Sequence, residues 1–295
     1  MFCNTYFGSL EEVLFDDVFD EAVSHVIRGN SSDNCDSILV KNLNSLHILL
    51  RIVDDFLLIS TDKNASIRFL EKLNNGIPSL GVRVNRDKTR VNYSITGGRK
   101  CENQSFFPWC GLLIHTTTCE ITLDYERFYG QKAIETVSVH RIGSEGTNLR
   151  KAMKGFVRPR CNQQLLFSSH INSIEIVRLN FYQTMLLCAI KTTYYIESSG
   201  MGLSSKKQHF IYNSACDTIR YAFLLISSKL KHDFHLRWTD ALWIGKHAFC
   251  SVFRRKKYEN MKQLFVSSRK LQGSNREDLF NVTKRAEKLF NLKSD

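Results

Sequence analysis

Acids are scarce in this chain: Asp and Glu number 29 against 41 Lys and Arg, leaving a formal charge of +12. That shortage suits a polyanionic partner, and nucleic acid fits best, because Lys and Arg contacts to phosphate supply most non-specific affinity. No Cys-x-x-Cys pair occurs among the nine cysteines. Its absence argues against a zinc site, and the odd number argues against a secreted disulfide framework. A reducing compartment and a packing role for all nine are expected, since the even spacing of Cys101, Cys110 and Cys119 matches no metal-ligand pattern. Long apolar runs are missing too. The longest, around Phe181 to Ile196, is broken by Gln183, Thr184 and Lys191 and falls short of the roughly 20 residues that span a bilayer. It reads as a buried helix, and no membrane partner is expected. The start, Phe2-Cys3-Asn4-Thr5-Tyr6-Phe7-Gly8, carries neither a basic end nor a small-residue cleavage site, so no signal peptide is expected. Internal repeats and low-complexity tracts are absent, and none of the histidines has ligand spacing.

What is present is a globular composition, 43% hydrophobic over 295 residues, enough for one large or two medium domains. Its most informative element is Asp54-Asp55. The apolar run Leu46 to Val53 precedes the pair, interrupted only by His47 and Arg51, and Phe56-Leu57-Leu58-Ile59 follows it. Each flank is too short for a typical helix, so the local reading is a strand, a two-residue turn and a returning strand, with both acids at the tip. Tight hairpin turns favour Asn-Gly or Asp-Gly because the central residues need positive φ. Two adjacent aspartates meet that need poorly and repel each other. Two readings follow: a solvated polar turn, or ligands for a hard divalent cation that cancels the repulsion.

Along the chain, Thr5 to Ile27 carries a helical stripe, and Asn30 to Asp36 is a loop by composition. After the acid hairpin, Ser60 and Thr61 are expected to cap a helix bearing Ile67, Phe69, Leu70 and Leu73, ending near Gly76 and Pro78. Gly81 to Asn85 and Thr89 to Tyr93 read as strands around a turn at Arg86-Asp87-Lys88. Beyond Tyr125 the pattern turns to long helical periods. The helices expected are Tyr129 to Val139, Ser173 to Ile196, Lys206 to Ser228, Trp238 to Phe265 and Glu277 to Leu292, with loops at Gly143 to Gly146 and Ser198 to Gly200. An α+β unit over 1–125 and a mainly helical one over 126–295 are therefore expected.

The run Leu50-Arg51-Ile52-Val53-Asp54-Asp55-Phe56-Leu57-Leu58 resembles motif C of reverse transcriptases, in the form found in telomerase catalytic subunits, where Ile52 replaces the usual retroviral tyrosine. Gly81 to Tyr93, with Asn85 and Lys88, looks like motif D. Phe107-Pro108-Trp109-Cys110-Gly111-Leu112-Leu113 looks like the primer grip, motif E. Phe156 to Cys161 and Val177 to Tyr182 resemble the telomerase thumb, so the similarity covers nearly the whole chain. The resemblance implies the second half of a right-hand polymerase palm followed by a thumb, and RNA-templated addition of telomeric repeats to chromosome 3′ ends in the full-length parent. It implies two Mg2+ ions, with Asp54 the more direct ligand and Asp55 supporting. Lys88 would sit beside the triphosphate, or be a solvated turn lysine. Trp109, Cys110 and Gly111 would form a turn against the primer backbone, or Trp109 would simply be buried beside a tight turn. The implied partners are telomerase RNA, a single-stranded telomeric DNA primer, the RNA–DNA hybrid and the remaining telomerase domains, in the nucleus at telomeres.

In the helical part Arg141, Arg150, Lys151, Lys154, Arg158 and Arg160 face only Glu145. They are the phosphate-binding candidates, with glycines at 143, 146 and 155 able to follow a hybrid's groove, unless they form only a solvated basic face. Arg254-Arg255-Lys256-Lys257 reads as an import signal or a polar helix face. Phe181, Tyr182, Tyr194 and Tyr195 are expected to pack between helices. A complete palm needs a further metal-binding aspartate on an earlier strand, and none precedes Asp54, so the chain alone is expected to be inactive. Two rival readings stay open: a fragment of a retroelement or intron reverse transcriptase, and a non-catalytic nucleic-acid-binding product.

Overall fold

The computed structural model describes residues 36–41, 46–52, 54–76, 84–93, 99–100, 105–125, 127, 135–140, 142–253, 258–267 and 279–284. The fold mixes helix and sheet, as the sequence pattern leads one to expect. It divides into two compact units, Met1–Cys110 and Gly111–Asp295. That division falls ahead of residue 125, where the sequence pattern changes. The expected helix at Thr5 to Ile27, the loop before Asp36, Arg141 and the run Arg254 to Lys257 lie outside the described residues.

In the first unit, strands β1 (Asp36–Lys41), β2 (Leu46–Ile52) and β3 (Asp55–Ser60) form an antiparallel sheet in that order. Leu49 pairs with Leu58 and Leu50 with Leu57. Leu49 and Leu57 therefore lie on opposite faces, yet both are buried, which is why the two strands read as apolar runs rather than strict alternation. Ile52 pairs with Asp55. Asp55 is thus the first residue of β3 and Asp54 alone of the two acids lies in the turn, a one-residue correction to the expected tip.

Helix α1 (Lys63–Asn75) buries Ala65, Phe69, Leu70 and Leu73 and packs on β3. Its cap is Asp62, which accepts from Asn64 N at 2.8 Å, not Ser60 or Thr61. Those two hydroxyls are engaged otherwise: Thr61 Oγ1 accepts from Leu46 N, and Ser60 Oγ accepts from Asp62 N. The first carboxylate beyond them is free to cap. Of the expected strand at Gly81 to Asn85, Val84 and Asn85 are outside any strand and 81–83 lie outside the described residues. The turn at Arg86-Asp87-Lys88 is present, and the strand after it shrinks to β4 (Arg90–Val91), which pairs in parallel with β5 (Arg99–Lys100). Strand β6 (Phe106–Trp109) ends the unit.

The second unit begins with β7 (Leu112–His115) and β8 (Ile121–Leu123), an antiparallel pair. Five helices follow: α2 (Glu145–Cys161), α3 (Ile174–Ser199), α4 (Ser205–Leu230), α5 (Trp238–Val252) and α6 (Glu259–Ser267). Residues 279–284 are also helical, while the described residues 137–140 are not. The single helix expected from Trp238 to Phe265 is two, since α5 stops at Val252. Helix α2 begins inside the expected glycine loop, because Ser144 caps it and its hydroxyl accepts from Thr147 N.

Helix α3 is the core, packed by α2, α5 and β8. It is buried nearly all round and so shows no apolar stripe. Its internal hydroxyls are satisfied by their own helix: Thr184 donates to Asn180 O at 2.8 Å and Thr192 to Cys188 O at 2.7 Å. Phe181, Tyr182 and Tyr195 are buried here, as expected, and Tyr194 is half-buried. Among the described helices none is long and apolar enough to cross a membrane. Helices α4 and α5 approach closely at Gly245, where a Cβ would lie 2.6 Å from Ile219 Cγ1. The cysteines divide: Cys161, Cys188 and Cys250 are buried, whereas Cys119 is exposed in a turn at φ 60°, against the expectation that all pack.

Candidate functional site

Asp54 and Asp55 are both exposed at the end of the β2–β3 pair. The strands fix their backbone through a six-residue register anchored by buried Leu49 and Leu57, so the carboxylates are held without being enclosed. Asp55 Oδ2 accepts the thiol hydrogen of Cys110 at 3.4 Å. Cys110 therefore stands beside the second acid. Consecutive carboxylates offer the oxygen donors a hard divalent cation takes, yet among the described residues no cluster of three metal-ligating side chains exists.

Lys88 is carried by a loop that Asn85 organises. Asn85 Oδ1 accepts from Asp87 N at 3.0 Å, and its carbonyl accepts from Lys88 N at 3.1 Å and from the Thr89 hydroxyl at 3.0 Å. Arg86 donates to the carbonyl of Asn74 at 3.2 Å, tying the loop to the end of α1. Lys88 itself is exposed.

Trp109, Cys110 and Gly111 make the expected tight turn. Cys110 has φ 47° and Gly111 φ 79°, two consecutive positive values of the kind that two-residue hairpin turns require. Trp109 is buried, 7% exposed, and its indole nitrogen makes no hydrogen bond among the described residues. Its ring is thus part of the packing, which leaves Cys110 and Gly111 as the accessible part of the turn. At Gly111 the φ of 79° strains any L side chain, and a Cβ would displace the tip of Arg127, whose Nη1 would lie 2.6 Å away.

Four of the five described basic candidates project from α2 at the surface, and the fifth does not. Arg150 lies over the Phe210 ring at 5.1 Å and 4.0 Å from Asp217. Lys154 lies over Tyr221 at 5.4 Å, and Arg158 Nε donates to Tyr221 Oη at 2.9 Å. Lys151 and Gly155 are exposed between them. Arg160 turns inward instead. Its Nη1 reaches the Phe156 carbonyl at 3.5 Å, and burial pulls its pKa down, with Tyr125, Cys161 and Cys188 opposing. The neighbouring Lys191 is pulled down to about 8, chiefly by burial.

Sequence reasoning missed the residues that hold these parts in place. Phe210 and Tyr221 give the α2 cations their ring partners, and only the packing of α2 on α4 brings them there. Asn180 Nδ2 donates to the carbonyls of Ile121 and Leu166, both at 2.8 Å, and Asn172 Oδ1 accepts from Ile121 N at 2.7 Å. Glu120 accepts from Ser173 N at 3.0 Å, and hydrogen bonds from the Ser173 side chain and backbone lower its pKa. The β7–β8 pair that follows Gly111 is thereby fastened to α3.

No family model matches the chain. Individual proteins do. It is 28% identical over 274 residues to the telomerase reverse transcriptase of Arabidopsis thaliana, covering 87% of this chain and 24% of that protein. It is 29% identical to the telomerase reverse transcriptase of Oryza sativa subsp. japonica, over 75% of this chain and 19% of that one. A third, from Takifugu rubripes, is 30% identical over 70% of this chain and 20% of its own length. The chain thus spans about a quarter or less of the curated relatives it matches.

Proposed function

The chain is a relative of the telomerase reverse transcriptases, and from that premise we propose that it is their carboxy-terminal part: the second half of the palm over 1–125 and the thumb over 126–295. The whole protein is then an RNA-directed DNA polymerase that extends chromosome 3′ ends with telomeric repeats copied from its RNA. Its partners are telomerase RNA, the single-stranded primer, the RNA–DNA hybrid and the preceding domains of the enzyme, in the nucleus. The observation that carries this reading is the contact of Cys110 with Asp55. It brings the turn resembling motif E against the acid resembling motif C, which lie far apart in sequence and meet in a polymerase palm.

The chemistry assigned to this chain follows from its own groups. Asp54 and Asp55 supply two carboxylates toward Mg2+. Two such ions, held in the complete enzyme by these carboxylates and others, would supply activation of the primer hydroxyl and charge stabilisation of the leaving pyrophosphate. Two carboxylates are only part of that ligand set, so the chain on its own is inactive. Lys88, exposed on its Asn85-braced loop, offers an ammonium to the triphosphate. Cys110 and Gly111 present backbone to the primer, with Trp109 fixing the turn from beneath. Arg150, Lys151, Lys154 and Arg158 track hybrid phosphates along α2, while Arg160, turned inward, braces the helix.

The test is a primer-extension and binding assay on the purified chain. No nucleotide is incorporated, an RNA–DNA hybrid binds, and Lys151→Glu with Arg158→Glu weakens that binding about tenfold with a shallower salt slope. Incorporation by the chain alone would overturn its assignment as an incomplete palm. A hybrid that ignores the α2 substitutions would remove the thumb assignment.

A further inference from the structure

We propose that the corner between α4 and α5 is a stacking platform for single-stranded DNA, separate from the α2 surface assigned to the hybrid. The ring of Phe223 lies between those of Phe234 and Trp238, with centroids 5.5 and 5.3 Å away and interplanar angles of 53° and 62°. The cluster is not closed over. Trp238 is 37% exposed and Leu224, next to Phe223, is 54% exposed. A partly exposed indole backed by Phe223, which is itself held against Phe234, is a surface on which a base can stack, and every base has a face to offer.

The charge around the rings matches a phosphate backbone. From Asp217 to Thr239 the chain carries Arg220, Lys229, Lys231 and Arg237 against Asp217 and Asp233, and Asp217 lies 4.0 Å from Arg150. Asp233 is engaged inward, its carboxylate accepting from His170 N at 2.9 Å. The next acid, Asp240, is 1% exposed and shared by Arg178 and Arg237 at 3.1 Å each. Two guanidiniums on one carboxylate leave the start of α5 positive. Arg220, Leu224, Ser228 and Lys231 follow one another at helical spacing and are all exposed, so cations flank the apolar stretch on both sides.

Rings for bases with cations for phosphates describe an unpaired strand. A duplex hides its base faces, and an acidic protein surface would have no use for the rings. RNA and DNA offer base faces and phosphates alike, and the unpaired primer of the telomerase reading makes single-stranded DNA the occupant. This inference rests on the telomerase reading, which gives unpaired DNA a reason to be near, and it adds a site to that reading.

The experiment uses the full chain, a labelled oligo(dT) of about twelve nucleotides and an RNA–DNA hybrid, with fluorescence anisotropy and tryptophan emission as readouts. Oligo(dT) binds and quenches emission. Trp238→Ala weakens its binding about tenfold while hybrid affinity stays within about twofold, and Trp238→Phe retains most of the affinity. Arg220→Glu with Lys231→Glu weakens oligo(dT) binding and flattens its salt dependence. These charge variants, checked by circular dichroism, read the same result should Trp238→Ala fail to fold. The platform is overturned if oligo(dT) does not bind, if both sets of variants bind it like wild type, if hybrid and oligo(dT) weaken together, or if oligo(rU) binds tighter than oligo(dT). Hybrid binding without oligo(dT) binding sinks the platform alone; loss of both sinks the telomerase reading with it.

Discussion

Cys110 donates its thiol hydrogen to Asp55 Oδ2 across 3.4 Å, joining the turn after β6 to the first residue of β3 although 55 positions separate them. Cys110 sits at φ 47°, where non-glycine residues are uncommon. The turn therefore holds its thiol at the acid against a conformational cost. Cys110→Ser preserves a donor there and Cys110→Ala removes it without adding a branched side chain at positive φ. In a complete enzyme carrying these residues, the Ala variant should extend primers about tenfold more slowly than the Ser variant, with melting temperatures within about 2 °C. Equal rates would show that the thiol does not orient Asp55.

Acid weakens the β2–β3 pair through His47. Its side chain is buried, a ring nitrogen lies 2.8 Å from Ser60 Oγ, and burial lowers its pKa, with Asp62 opposing and Arg68 adding. The folded chain then takes up a proton less readily than the unfolded chain, whose histidine titrates near 6.5. Stability complete above that value falls as pH drops through it. The denaturant midpoint of wild type should be lower at about pH 5.5 than at about pH 7.5, and His47→Gln should show a smaller drop. An equal drop in both proteins would exonerate His47.

Asn180 is fully buried and its amide bridges the carbonyls of Ile121 and Leu166. Replacing it with Ala strands two buried acceptors, a loss of roughly 2–4 kcal/mol. Hydrogen exchange should speed up at β8 before it does at α5, because the bridge fastens the β7–β8 pair to α3. A uniform loss of protection would mean that Asn180 supports the whole bundle and not the hairpin in particular.

The sequence made some of this legible and hid the rest for physical reasons. Apolar runs around two acids specify strands whatever lies nearby, so the Asp54 hairpin was readable to within one residue, and the hidden detail was register, which pairing sets. The cap moved to Asp62 because Ser60 and Thr61 are spent on cross-strand contacts with His47 and Leu46, which no local propensity records. Helix α2 was obscured by Gly146, Gly155 and Pro159, all inside it. Arg160 looked like its basic neighbours, and only the packing of α2 against α3 turns it inward. Tyr221 and Asn180 gave no signal, since what makes each matter is a partner about sixty residues away.

The most direct test restores this chain to a full-length parent with its telomerase RNA and compares extension of a telomeric primer by wild type and Asp54→Ala. Wild type should add repeats, and the variant should lose activity by about a thousandfold or more while retaining primer and hybrid binding. Unchanged extension by Asp54→Ala would contradict the assignment of the Asp54-Asp55 hairpin as the metal-holding part of a polymerase palm.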